Sequence, residues 1–471
     1  MDHAAWLEGK SDEEAQDAYQ YFMRPDPNQK EFLGPIEEEE DPYTGTVAMY
    51  RTARVGMVRN AKEDDKKEVK VYLGFNGTRY LPHLRVPQAK RLQGWYQEKH
   101  NDKKGSRVRP CFTEAVLTEP YGGYCTVGCA FCYINSGFRG YRGSGLITVP
   151  MHYGDQVKGM LAKNKSSAAG YFSSFTDPFL PIENIYHNTQ RGAEAFTNLG
   201  LPVFYLSRLA YPGWAFDSLK LNRYSYAQKS LNTGNDEDWH KLSPGAMSLQ
   251  EHLEEVGELR RQGIYTSIQV NPVLPGITSH DDIRHLFERL AAQNNNHVIV
   301  KFVEAGYSWA PSMVARLKKR FGAERGGAFE ALFQENQAGS QKTIVSEYRL
   351  EAHAKYQKWA TELGMTYATC YEYRRKKPEE GKGWMSVGRE FATADQCHGQ
   401  RVPMFSRTDL KENFTEVVDC PPSGCLYCAE ESDDGEPKCG DEVFGNAGAV
   451  RGAQYKTAIG DGKLIIPIKA I

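Results

Sequence analysis

The tightest constraint on this chain is the run Cys125-Thr126-Val127-Gly128-Cys129-Ala130-Phe131-Cys132, spaced Cys-x3-Cys-x2-Cys with an aromatic residue before the last cysteine. Three thiolates on one short loop can converge on a common partner. Cuboidal iron–sulfur clusters are held by cysteine thiolates, so three such ligands can take three irons and leave the fourth open. Two plainer readings compete. A zinc knuckle wants four ligands, and the first His or Cys after Cys132 is His152. Three buried cysteines packed as small hydrophobes are the other reading.

From residue 115 onward, short apolar runs alternate with amphipathic stretches, which implies βα units and a parallel sheet. Strands are expected at 115–118, 170–174, 203–207, 223–230, 266–270 and 298–303. Helices are expected at 248–262, 281–293, 312–321 and 346–363, the first carrying Leu249, Leu253, Val256 and Leu259 on one face. Six strands fit an α/β fold of the partial (β/α)6 barrel kind. Sites in such barrels gather at the C-terminal ends of strands, and the cysteine loop follows the first strand. The division expected is 1–113 as an N-terminal extension, 114–306 as the barrel, 307–366 as a helical continuation and 367–471 as a small C-terminal metal-binding domain. In the extension, 69–73 reads as a strand and 87–100 as a helix.

The cysteine spacing, with Phe131 in place, resembles the radical S-adenosylmethionine (radical SAM) superfamily. There a 4Fe-4S cluster binds SAM at its open iron and cleaves it reductively to a 5′-deoxyadenosyl radical. Further stretches are similar to the spore photoproduct lyase-like group within it. Thr176-Asp177-Pro178-Phe179-Leu180-Pro181-Ile182-Glu183 resembles its Thr-Asp-Pro-Tyr-x-Pro-Ile-Glu. The same residues also read as a capped turn. Ser243-Pro244-Gly245-Ala246-Met247-Ser248 resembles its Glu-Pro-x-Ala-Pro-Ser, with Ser243 where the group has an acid, and Asn271-Pro272-Val273-Leu274-Pro275-Gly276 matches a third segment. The resemblance implies the radical SAM partial barrel over 115–305. It makes Cys125, Cys129 and Cys132 the cluster ligands. Phe131 and Tyr133 would flank the adenine, and SAM would reach Ser173, Ser174, Thr176, Gln228, Ser230 and Asn271. An electron donor such as flavodoxin or ferredoxin is implied.

A second cysteine set lies in the tail: Cys420, Cys425, Cys428 and Cys439. Four thiolates in twenty residues can complete either a second iron–sulfur cluster or a zinc site. Cys397 or His398 could replace Cys439. Cys370 is a candidate hydrogen-atom donor, since a weak S–H bond suits that role; a buried structural thiol is the alternative. Tyr141, in the glycine-rich loop after the cluster, is a second catalytic candidate that could also stack on a base.

Residues 1–50 carry thirteen Asp/Glu against three Lys/Arg, and residues 51–110 carry sixteen Lys/Arg against six Asp/Glu. The acidic run Glu37 to Asp41 reads as a solvated loop. The basic stretch, interleaved with Tyr72, Phe75, Tyr80, Trp95 and Tyr96, suits a nucleic acid with stacked bases, or an ordinary surface that the acidic segment neutralises. No membrane span or secretory signal is apparent. Ten cysteines in clusters then suggest metal binding in a reducing cytoplasm. The function expected is hydrogen abstraction from a substrate carbon, on a modified nucleobase such as a thymine derivative in DNA, with a lyase- or isomerase-type outcome. Peptide maturation with an auxiliary cluster is the rival enzyme. A nucleic-acid-binding protein with two structural metal sites is the non-enzymatic alternative.

Overall fold

Opposite charges across strands build the first sheet. The computed structural model describes residues 30–56, 66–87, 93–95, 115–134, 146–162, 166–173, 175–337, 341–370, 372–381, 383–394, 397–400, 402–403, 405–407 and 409–416. It opens with β1 (Lys30–Asp41), β2 (Thr46–Gly56), β3 (Lys66–Phe75) and β4 (Thr78–Val86), paired antiparallel in that order. The acidic run expected as a solvated loop is therefore the edge strand β1. Its partners explain the difference. Lys70 pairs with Glu39, Tyr50 donates to Glu37 at 2.7 Å, and the Arg85 guanidinium forks onto Asp41. Such pairs hold a strand that has no apolar alternation, and a charged edge resists pairing with other chains. The acidic strand β1 thus sets Glu39 and Asp41 against Lys70 and Arg85 of the basic strands.

β5 (Gln93–Trp95) and β6 (Ala115–Thr118) begin a second sheet, while β7 (Ile147–Pro150) returns to the first beside β4. At its described residues Gln93–Trp95, β5 corrects the helix expected at 87–100. It pairs antiparallel with β6, so ladder bonding at an open sheet edge overrides the local helical pattern. β8 (Ser166–Ser167) joins a small separate sheet with Phe405–Ser406.

The second sheet continues through β9 (Ala169–Phe172), β10 (Val203–Ser207), β11 (Tyr226–Ser230), β12 (Tyr265–Val273) and β13 (His297–Phe302). β14 (Glu304–Gly306), at the end of the expected barrel, forms a three-stranded sheet with β15 (Glu335–Gln337) and β16 (Gln341–Thr343), which lie inside the segment expected to be helical. β17 (Thr366–Thr369) then pairs parallel with β13. The parallel strands follow the order β6-β9-β10-β11-β12-β13-β17, each beside its neighbour in sequence. That is the winding of a barrel, left open between β5 and β17, with one parallel strand more than the six expected.

Helix ends follow local chemistry. Leu249–Arg261 starts at Ser248 with a capping box to Glu251, and His280–Ala292 starts at Ser279 with one to Asp282. A side-chain cap of this kind contributes about 1 kcal/mol. The helix expected at 312–321 runs as Ala310–Leu332 with a break at Gly322.

Strand alternation sorts the barrel. Ile268, Val270, Val298 and Val300 face outward into a core with Leu253, Val256, Ile283 and Leu286. Inward, the rings of Tyr171, Phe204 and Tyr226 stack across paired positions at 4.5 and 4.4 Å. His398 packs against Phe204 and Tyr226, and His297 Nε2 meets the Cys397 carbonyl at 2.8 Å. Residues 397–398 thus close the barrel floor. Cys397 also packs on Ala368, so both residues offered as substitutes for Cys439 already have structural places. Among the described residues no helix is long and apolar enough to cross a membrane.

Candidate active site

The cluster loop is gripped from three sides. At its root, Gly122 and Thr148 of β7 exchange backbone hydrogen bonds at 2.9 Å. Gly123, at φ +74°, approaches so closely that a Cβ would lie 2.2 Å from the Leu146 carbonyl. On the second side, Ala130 N–H donates to the Leu242 carbonyl at 2.8 Å and Gly245 N–H to that of Val127 at 3.0 Å. A Cβ on Gly245 would sit 2.1 Å from the Thr126 carbonyl, so only glycine permits this docking. On the third side, Arg316 donates to the carbonyls of Ala130 and Cys132. The Ser243–Ser248 segment that resembled a family motif therefore positions the cysteines.

The three cysteines line one cavity of about 550 Å³. Phe131 and Tyr133 of the same loop share its wall with Ser173, Thr176, Ser230 and Asn271 from the ends of β9, β11 and β12. Several of these groups are already engaged. The Thr176 hydroxyl donates to the Tyr121 carbonyl at 3.1 Å. The Ser230 hydroxyl accepts from Arg208 at 2.9 Å, and the Asn271 carbonyl accepts from Arg208 at 2.8 Å. Ser173 Oγ is buried with no hydrogen-bond partner. Gln228 does not line the cavity; it lies deeper on β11, with its amide nitrogen buried and unpartnered. Cys370 follows β17, its sulfur 4.0 Å from Gln269 Nε2. Ser174, Tyr141, Cys420, Cys425, Cys428 and Cys439 lie outside the described residues.

The Thr176–Glu183 stretch is chiefly a brace. Asp177 accepts from Ser207 Oγ, from Arg208 N–H at 2.7 Å and from Phe179 N–H at 3.0 Å. Glu183 accepts from the N–H groups of Thr189 and Gln190, both at 2.9 Å.

Arg208, Gln269, Lys301 and Glu304 are among the lining residues that the sequence did not reveal. A lysine inside the apolar strand Val298-Ile299-Val300-Lys301-Phe302 was the one available signal. The Arg208 guanidinium lies between the rings of Phe131 and Trp239, at 5.2 and 5.3 Å.

Electrostatics favour a cationic occupant beside the thiols. Burial, the Asp177 carboxylate and the neighbouring thiols push the Cys125 thiol well up. Burial and Cys129 push Cys132 up to about 12. Thiols raised in this way, as at Cys125 and Cys132, ionise readily only when positive charge arrives, and iron supplies it. Among the described residues no trio of His, Cys, Asp or Glu closes on a single ion. A cuboidal cluster holds its thiolates on separate irons, so the donor set fits that group. The unpartnered Ser173 Oγ and Gln269 Oε1 fit a polar ligand such as SAM in the same cavity.

Comparison with known proteins agrees. A curated protein, the radical SAM Nalpha-GlyT isomerase of Pseudomonas phage M6, is 71% identical over 480 residues, spanning 100% of both chains. The chain belongs to the radical SAM isomerase family. It is thus an enzyme whose family uses SAM and a 4Fe-4S cluster and needs an electron donor. No family model matches the chain. Among solved structures, a spore photoproduct lyase mutant with bound AdoMet and dinucleoside spore photoproduct aligns at TM-score 0.43 and 15% identity, over 54% of this chain and 75% of that one. SuiB of Streptococcus suis aligns at TM-score 0.35 and 12% identity, over 55% and 50%.

Proposed function

We propose that this radical SAM isomerase acts on Nα-GlyT, the compound in its phage relative's name. The observation that carries this is the full-length identity of 71%. As chemistry, Nα-Gly describes a glycine joined through its α-nitrogen, and we take T as the thymine-derived group that the sequence pattern suggested. Such a substrate keeps a free carboxylate and an aliphatic amine.

When bound and reduced, the cluster and SAM supply the radical that removes a hydrogen atom from a substrate carbon. Cys125, Cys129 and Cys132 would hold the cluster; Phe131 and Tyr133 would flank the adenine. Ser173, Ser174, Thr176, Ser230 and Asn271 would reach SAM, with Gln228 beneath them. An isomerisation keeps every substrate atom, so a hydrogen must be returned to the rearranged skeleton. Cys370 is suited to that step. Burial pushes its thiol up to about 11, although Lys301 pulls the other way, so it keeps its hydrogen at neutral pH. The sulfur radical left behind would take one electron and one proton, the electron from the donor that reduces the cluster. Tyr141 remains a candidate beside it.

Several finer points belong to this reading. Cys420, Cys425, Cys428 and Cys439 would hold a second cluster or a zinc ion. A flavodoxin or ferredoxin in the cytoplasm would supply electrons. The thymine group could be presented within DNA. The pairing of β1 across β2 and β3 weighs against a polyanion track on that sheet, so polymer binding would draw on Lys103, Lys104, Arg107 and Arg109, outside the described residues. The isomerase relative favours this reading over peptide maturation.

The test is anaerobic turnover with SAM, reductant and Nα-GlyT. The expected result is a product of unchanged mass and altered chromatographic behaviour. Recovery of unaltered Nα-GlyT, with SAM cleaved, would refute the assignment.

A further inference from the structure

The cavity has two walls. The cluster loop and the ends of β9 to β11 form one. Lys301, Val303, Glu304, Gly306, Trp309 and Gln341 form the other. Among the described lining residues the cations are Arg208 and Lys301, and the carboxylates are Asp177 and Glu304. Each wall holds one of each.

On the first wall both charges are committed. Arg208 donates to Ser230, Ser243, Asn232 and the Asn271 carbonyl. Asp177 is filled by Ser207 and backbone N–H groups. On the second wall Lys301 Nζ lies 2.8 Å from Glu304 Oε1, and the two side chains keep 15% and 17% of their surface exposed. Burial draws the Lys301 amine down, but Glu304 more than offsets this and keeps it cationic. Gln269 lines the same cavity, and its Oε1 is buried without a partner.

A largely desolvated ion pair contributes little to stability and often costs it, so its place on a cavity wall calls for another explanation. A cation and an anion side by side complement a ligand carrying the reverse pair on adjacent groups. An amino acid, with amine and carboxylate one carbon apart, is that ligand. We propose that Lys301 and Glu304 form an amino-acid clamp: Lys301 takes the substrate carboxylate, Glu304 its amine, and Gln269 accepts from a neighbouring N–H. The clamp rests on the Nα-GlyT reading and adds the residues that select the glycine end. It holds that end on the second wall of the cavity that Gln269, next to Cys370, also lines.

The test is equilibrium binding to the anaerobically reconstituted, SAM-bound protein. The probes are Nα-GlyT and its counterpart with the carboxylate replaced by a carboxamide. Loss of a charge-assisted hydrogen bond predicts that Lys301→Met weakens the acid about 30-fold and the amide by less than about threefold. Lys301→Arg, which keeps the charge, should lose less. Iron content and the circular dichroism spectrum of each variant report folding. Equal loss for acid and amide, or no loss, in folded variants of an enzyme that converts Nα-GlyT would overturn the clamp alone. Wild-type protein that neither binds nor converts Nα-GlyT would overturn both the clamp and the reading beneath it.

Discussion

The hydroxyl of Ser243 lies 3.3 Å from the sulfur of Cys129. Arg208 Nη1 donates to the same hydroxyl at 3.2 Å, which leaves the serine hydrogen free to point at the sulfur. Hydrogen bonds to cluster sulfurs favour the more negative, reduced state. Ser243→Ala should therefore move the cluster's midpoint potential to a more negative value in an EPR-monitored redox titration. An unchanged potential would show that this contact does not tune the cluster.

Glu372 tests the far side of the barrel. Burial alone would raise its carboxyl, but Arg349 and then His353 outweigh burial and hold it at about 2, against an ordinary 4.5. The folded value is depressed, so the stabilisation is present above about pH 4.5. It is lost as pH falls from there towards 2 and is on the order of 3 kcal/mol. Glu372→Gln removes the closer of two carboxylates on the buried Arg349, leaving Glu335 at 3.4 Å, and should cost roughly 3 kcal/mol at neutral pH. Its urea midpoint should change less than wild type's across the acid window.

Cys370→Ala should still form 5′-deoxyadenosine but release little isomer, so the ratio of the two rises. Cys370→Ser should behave likewise, because an O–H bond is too strong to give up its hydrogen readily. A variant that matches wild type in both products would return Cys370 to a structural role.

The cysteine loop was legible in sequence because its chemistry is local: eight residues carry all three thiols and the aromatic. Strand 203–207 and the helix at 248–262 were legible for similar reasons. The first is an apolar run after Pro202, and the second starts at a serine with a glutamate three residues on. The strand at Glu37–Asp41 was not, since its stability comes from Lys70 and Arg85, which lie far along the chain. Arg208, Gln269 and Lys301 were missed on related grounds. An inward polar side chain differs from an outward one only by strand phase, and their convergence depends on three strands at once. Within the helix expected at 87–100, the described Gln93–Trp95 are instead strand, because β6 offered them a sheet edge.

The tail cysteines give a metal count. If Cys420, Cys425, Cys428 and Cys439 hold a second cuboidal cluster, anaerobic reconstitution should yield about eight irons per chain. A zinc site would give about four irons and one zinc. Four freely alkylated tail thiols, with no metal beyond the first cluster, would defeat the proposal.

The most direct test of the whole account is the quantity of 5′-deoxyadenosine formed by reduced, reconstituted protein with SAM and Nα-GlyT. The comparison is with a variant carrying alanine at Cys125, Cys129 and Cys132. Wild type should form it and the variant should not, while any metal held by the tail remains. Equal amounts from the two proteins would contradict the assignment of these cysteines as the catalytic centre.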